Sequence, residues 1–182
     1  MNHSLKLHPD SRCSAAIAIE VQTSRPCPGT LALRFLVTGT TSALRLPPTK
    51  APSRRDELWQ HTCFEAFIRV PSADAYYEFN FAPSTEWAAY QFSGYRCGMR
   101  ALSEISAPHT EVQQDAERLE LQASLDLDGL PDLSEGAIWQ LGVSAVIEET
   151  SGNKSYWALT HPSSKADFHH PDCFTYELAT TE

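Results

Sequence analysis

No apolar run in the chain approaches the roughly 18 residues that a membrane-spanning helix needs. Basic residues are also few: 14 Lys and Arg stand against 23 Asp and Glu, a formal net charge of −9 at pH 7. They are scattered, Arg54-Arg55 being the densest pair. That argues against a nucleic-acid or anionic-membrane surface, because counterion release requires clustered cations. The five cysteines (Cys13, Cys27, Cys63, Cys97 and Cys173) are odd in number and contain no C-x-x-C pair. The stretch from Met1 to Arg12 is polar, with no apolar core of secretory length. Reduced thiols and a cytoplasmic address are therefore the expectation. The chain has no G-x-S-x-G, no H-E-x-x-H, no phosphate-binding glycine loop and no dinucleotide fingerprint. Helical periodicity is scarce, and neither a repeat nor a low-complexity tract is present.

What remains is alternation with period two. Hydrophobic residues make up 42% and charged residues 20% of the 182 residues, enough apolar material for a packed core. Ser14–Val21 sets Ala15, Ile17, Ile19 and Val21 on one face, and Thr30–Thr38 aligns Leu31, Leu33, Phe35 and Val37. Further strands are predicted over 62–70, 76–81, 87–92, 118–125, 139–148, 154–159 and 173–178. About nine strands between Pro-, Gly- and Ser-rich turns predict an all-β, two-sheet antiparallel β-sandwich, a single domain over 1–182. Pro47–Glu57 reads as an exposed loop, and Asp126–Gly136 as a short helical turn or a crossover between sheets.

One hairpin can be set in register from its pattern. Closing it over 71–74 places Phe64 opposite Phe81, Ala66 opposite Phe79 and Ile68 opposite Tyr77, an apolar face throughout. The other face carries Glu65 opposite Asn80, Phe67 opposite Glu78 and Arg69 opposite Tyr76. A slip of one residue would send charges into the core, so the register is pinned.

That second face attracts attention because carboxylates and an amide share it with aromatics. Trp59 precedes the strand that carries Glu65, and Trp87 and Trp157 lie in two further aromatic segments. Indole faces stack on the C–H face of a pyranose while carboxylate and amide groups bond its hydroxyls. Packing alone would explain the same residues, with Trp59 a plug and Glu65 paired to Arg69 or Arg55. The late cluster His161, His169-His170, Asp167, Asp172 and Cys173 raises zinc, but its spacing fits no structural zinc pattern, and loop-fixing hydrogen bonds are expected instead. Met99 could ligate haem with a histidine. Glu65 and Glu78 could form a hydrolytic carboxyl pair.

Three stretches resemble the DOMON-like superfamily, on the branch related to family 9 carbohydrate-binding modules. They are Leu58-Trp59 with 63–68 (CFEAFI), the strand 76–83 (YYEFNFAP), and His161-Pro162 through 167–174 (DFHHPDCF). The likeness spans about 55–178. Thr175 stands where such proteins often carry Gly, and only Trp59 has a clear counterpart among their paired stacking aromatics. The resemblance implies non-catalytic binding of a small polar ligand, a saccharide or sugar-containing metabolite. Trp59, with Trp157 or Trp87, would stack; Arg55, Glu65, Glu78 and Asn80 would hydrogen-bond; His169 would close one end. No cofactor is expected on that reading. A haem-binding domain and a carboxylate-dependent glycoside hydrolase are the alternatives, and the sequence leaves the oligomeric state open.

Overall fold

The computed structural model describes residues 2–133 and 136–179. The chain runs through β1 (Asn2–Ser4), β2 (Lys6–Leu7), β3 (Ala16–Ser24), β4 (Thr30–Gly39), β5 (Cys63–Arg69), β6 (Tyr76–Phe81) and β7 (Trp87–Phe92). It continues through β8 (Arg100–Ala101), β9 (His109–Gln114), β10 (Arg118–Asp126), β11 (Trp139–Glu148), β12 (Lys154–Ala158) and β13 (Tyr176–Leu178). The first sheet has the order β1-β3-β4-β10-β9. The second has the order β2-β12-β11-β5-β6-β7-β8, with β13 pairing on β11. Their ladders are antiparallel, as the alternation predicts.

The β5–β6 register runs from Phe64 opposite Phe81 to Ile68 opposite Tyr77, with Glu65 facing Asn80 and Phe67 facing Glu78. The inner face of this hairpin joins a core between the sheets. Phe35, Val37 and Leu121 meet Phe64, Phe79 and Trp139 there, all fully buried. A second apolar layer covers the outer face of the same sheet, built on Phe67, Tyr76, Tyr90 and Phe92 with Leu58 and Phe174 laid over them. The second sheet is thus buried on both faces, which is why β6 and β11 carry few exposed positions.

Three details depart from the pattern, and a fourth agrees with it. Ile17 is 77% exposed, because the β3–β4 register shifts between Ala16 and Ala18 and turns the side chain outward; Ala15 and Ala16 fill the core instead. The last predicted strand is shorter, Cys173 lying in a 3-10 turn (Pro171–Cys173) ahead of β13. β9 was not visible in the sequence, since its edge position buries neither face fully. The 3-10 turn Pro131–Leu133 falls within the segment 126–136, of which Ser134 and Glu135 lie outside the described residues.

Two connections shape the outer face of the second sheet. The loop before β5 is pinned beside β7, where Trp87 N donates to Ser53 O at 3.0 Å and Arg55 N to Trp87 O at 2.9 Å. The β12–β13 connection crosses near β11 so closely that a Cβ on Gly142 would stand 3.0 Å from the Cys173 carbonyl oxygen. A side chain there would require the crossing to give by a few tenths of an ångström.

Candidate functional site

The β5–β6 register and the pairing of Ser144 with Glu65 bring four polar side chains into adjacent rows of the outer face. Glu65, Glu78, Asn80 and Ser144 are all buried. Ser144 Oγ donates to Glu65 Oε2 at 3.0 Å, and Asn80 Nδ2 donates to Glu78 Oε1 at 2.7 Å. The Cys63 thiol points at Asn80 Oδ1 across 3.8 Å. Neither Arg69 nor Arg55 reaches Glu65: Arg69 bonds Gln140, and Arg55 bonds Glu86.

Removal from water pushes both carboxyls well above the ordinary carboxylate range, and the charge of Glu78 adds to the shift at Glu65. The bond from Ser144 to Glu65 and that from Asn80 to Glu78 act the other way. Among the described residues, Glu65 Oε1 and Glu78 Oε2 accept no hydrogen bond, and neither atom is sealed from solvent.

His169 arrives from the β12–β13 connection. Its ring packs edge-on against Phe67 and Phe92, with centroids 5.1 and 5.2 Å away. Tyr76 Oη lies 2.8 Å from His169 Nδ1 and receives Arg96 N–H at 3.3 Å. The tautomer that fits has the tyrosine donating to Nδ1, leaving Nε2–H turned towards Glu78 Oε2 at 3.9 Å. Burial, helped by the Arg96 charge, lowers the imidazole pKa to about 4, so the ring is neutral at pH 7. Asp167 anchors the same segment: it accepts from Tyr95 Oη, from Arg96 Nη2 at 2.8 Å and from His169 N at 3.2 Å.

The other expected contacts separate. Trp59, 50% exposed, sits on the 3-10 turn Leu58–Gln60. Arg55 lines a cavity of about 250 Å3 beyond that turn and a second of about 200 Å3 with Arg54, Asp56 and Ala88. Trp87 and Trp157 are not brought to this face. Both point into the core between the sheets, because they alternate in phase with Phe81 and Ala145, their opposite partners. Arg54 stacks over Trp87 at 4.0 Å, and Trp157 Nε1 donates to Ser155 Oγ at 3.0 Å. Met99 stands exposed on the β7–β8 connection. Among the described residues no three His, Cys, Asp or Glu side chains are grouped to hold a metal ion.

Sequence reasoning missed Ser144, Tyr76, Tyr90 and Arg96. Ser144 depends on a partner 79 positions away. Tyr76 stacks on Phe92 at 4.7 Å, which the β6–β7 pairing sets, and Tyr90 Oη donates to Asp56 at 2.7 Å, on the loop held beside β7.

The architecture is that of family 9 carbohydrate-binding modules. A candidate carbohydrate-binding protein from Bacteroides uniformis ATCC 8492 superposes with a TM-score of 0.73 at 12% identity, over 98% of this chain and 85% of that one. A family 9 carbohydrate-binding module from Caldicellulosiruptor kristjanssonii in complex with glucose gives 0.53 at 9% identity, over 96% and 82%. The same organism's module in complex with cellotriose gives 0.56 at 9%, over 96% and 80%. At such identities the likeness is one of fold. No protein-family model matches the chain, and no curated protein sequence matches it significantly.

Proposed function

We propose that this chain is a non-catalytic binding domain of the DOMON-like kind, taking a small polar ligand, a saccharide or sugar-containing metabolite, on the outer face of its second sheet. The observation that carries the reading is the pair Glu65 and Glu78, each with one carboxyl oxygen left without a protein donor in a row otherwise hydrogen-bonded. Buried polar groups normally find partners, so unspent acceptors at one place invite a ligand that donates. With both carboxyls shifted upward, the pair can hold a proton and so donate as well as accept. A sugar hydroxyl both donates and accepts, so adjacent hydroxyls match such a pair. The neutral His169 Nε2–H adds a donor. Trp59, half exposed on the neighbouring turn, supplies an aromatic face for the C–H side of the ring. Arg55 contributes a donor from the same loop, and Asn80 orients Glu78. The sugars held by the two modules of the same fold support this choice of ligand class.

Ligand-observed NMR and calorimetry against a panel of mono- and oligosaccharides test it. Binding that weakens in both Trp59→Ala and Glu78→Gln is the expected result. No binding at millimolar sugar, with Trp59→Ala silent, would sink it.

A further inference from the structure

The loop between β4 and β5 closes the larger cavity, of about 250 Å3, over one end of the second sheet. Leu46, Pro47, Leu58 and Ala82 give it an apolar lining, and Arg45, Arg55, Glu57, Glu86 and Glu148 give it charge. Of its three carboxylates, Glu57 is exposed, whereas Glu86 and Glu148 are nearly enclosed and fully engaged. Glu148 meets Arg45 Nη1 at 3.3 Å through Oε1 and His61 Nδ1 at 2.7 Å through Oε2. Glu86 Oε1 accepts from Lys50 Nζ at 3.2 Å and Arg55 Nη1 at 3.3 Å, and its Oε2 accepts from Ser84 Oγ at 2.8 Å.

The arginines are in the opposite condition. Each commits a single nitrogen, Nη1, and each side chain is a little over half exposed, 56% for Arg45 and 55% for Arg55. A guanidinium carries five N–H donors in a planar fork, so most of that capacity faces outward unspent. The enclosed acceptors, Glu86 and Glu148, are therefore used internally, while Arg45 and Arg55 present unspent donors at the mouth, where the exposed Glu57 is the remaining carboxylate. Arg45, Lys50 and Arg55 gather there in a chain whose overall charge is −9.

The backbone around it is also held in costly conformations. Glu57 (φ 61°), which lines the cavity, and Thr85 (φ 70°), between the lining residues Ser84 and Glu86, are both left-handed without being glycine. Such strain persists only where the surroundings over-determine it, and it collects at ligand clamps. Here Thr85 Oγ1 donates to Lys50 O at 2.7 Å, and Lys50 N donates to Ser84 O at 2.9 Å, tying the two sides together.

We propose that this cleft is a second binding site, which takes the anionic group of a small ligand, a carboxylate or a phosphate, in the fork of Arg45 and Arg55. It shares Arg55 with the saccharide reading and otherwise rests on different residues. Glu86 and Glu148 hold the guanidiniums in place, and Leu46, Pro47 and Leu58 shelter the uncharged part of the ligand.

The experiment follows the arginine Nε–Hε and tryptophan Nε1–Hε1 NMR signals of the full chain at low ionic strength. The probes are inorganic phosphate, glucose 6-phosphate, glucuronate and glucose. Expected are saturable shifts of Arg45 and Arg55 with the three anions and not with glucose, weakening as salt is added. Arg45→Gln weakens anion binding by about tenfold or more, while Arg118→Gln, on the far sheet, leaves it unchanged. Arg45→Lys, which retains a cation for Glu148, recovers part of the loss. Comparing glucuronate with glucose 6-phosphate decides between carboxylate and phosphate. Arg45 and Arg55 signals that stay still in all three anions, or shifts equally reduced by Arg118→Gln, overturn the proposal. Anion shifts at Arg45 with no sugar response at Trp59 keep the cleft and overturn the saccharide reading; a Trp59 response to glucose without anion shifts does the reverse.

Discussion

Glu65 and Glu78 stand in adjacent rows on the outer face of the β5–β6 hairpin, Glu65 opposite Asn80 and Glu78 opposite Phe67. Two carboxyls so placed and so buried cannot both ionise cheaply. Their pKa values in the folded chain lie above those of the unfolded chain, so the native state binds more protons in the interval between. Stability from this pair is fully present below the unfolded carboxylate value of about 4.5 and is lost as pH rises through the folded values. Urea midpoints taken between about pH 6.5 and pH 8.5 should therefore fall in the native protein. Glu65→Gln, which cannot ionise, should remove roughly half of that fall or more. An unchanged slope in Glu65→Gln would contradict the coupling.

His169 acts with the opposite sign. Its folded pKa of about 4 lies below its ordinary 6.5, so the neutral ring favours folding above 6.5 and that contribution disappears as pH drops towards 4. His169→Gln should flatten the acid limb of the stability profile, by on the order of 2 kcal/mol at its lower end. It should leave the limb above pH 7 where it was. Thermal melts across that interval measure both limbs in one series.

The sandwich was legible because both sheets alternate, and because Glu65, Glu78 and Asn80 must share a face once Phe64, Ala66 and Phe81 share the other. Trp87 and Trp157 show where such reading stops. Each could be placed on a strand, but their facing follows from ladders to β6 and β11, pairings that local pattern does not specify. Ile17 fails for a related reason, since a bulge reverses its face without leaving a local mark. The cleft was least visible: Arg45 and Arg55 from the β4–β5 loop, Glu86 from the β6–β7 turn and Glu148 from β11 are joined only by the tertiary fold.

Trp59 and Trp157 should respond in opposite ways to truncation. Trp157 is 5% exposed in the core, so Trp157→Ala should cost about 3–5 kcal/mol in chemical denaturation. Trp59 is half exposed, and Trp59→Ala should change stability by no more than about 0.5 kcal/mol. Saccharide affinity should fall in Trp59→Ala at native-like stability. Equal stability losses in the two variants would mean that the turn bearing Trp59 packs more firmly than its exposure indicates.

Asp167 is the residue on which the covering segment hangs. One carboxylate receives Tyr95, Arg96 and the His169 backbone, and Cys173 Sγ–H donates to the Asp167 carbonyl at 3.3 Å. Its pKa lies below the ordinary range: burial works against ionisation, and the donors from Tyr95 and Arg96 outweigh it. Asp167→Asn keeps the shape but removes the charge and turns one acceptor into a donor that faces Tyr95 or Arg96. A loss of about 1–3 kcal/mol is expected. The loss should be local, because Asp167 belongs to the outer layer and the core between the sheets does not depend on it. Hydrogen exchange should therefore quicken across 167–174 while β4 and β10 keep their protection. Uniform acceleration over both sheets would show that the segment is part of the global folding unit, and His169 would then report on the whole fold.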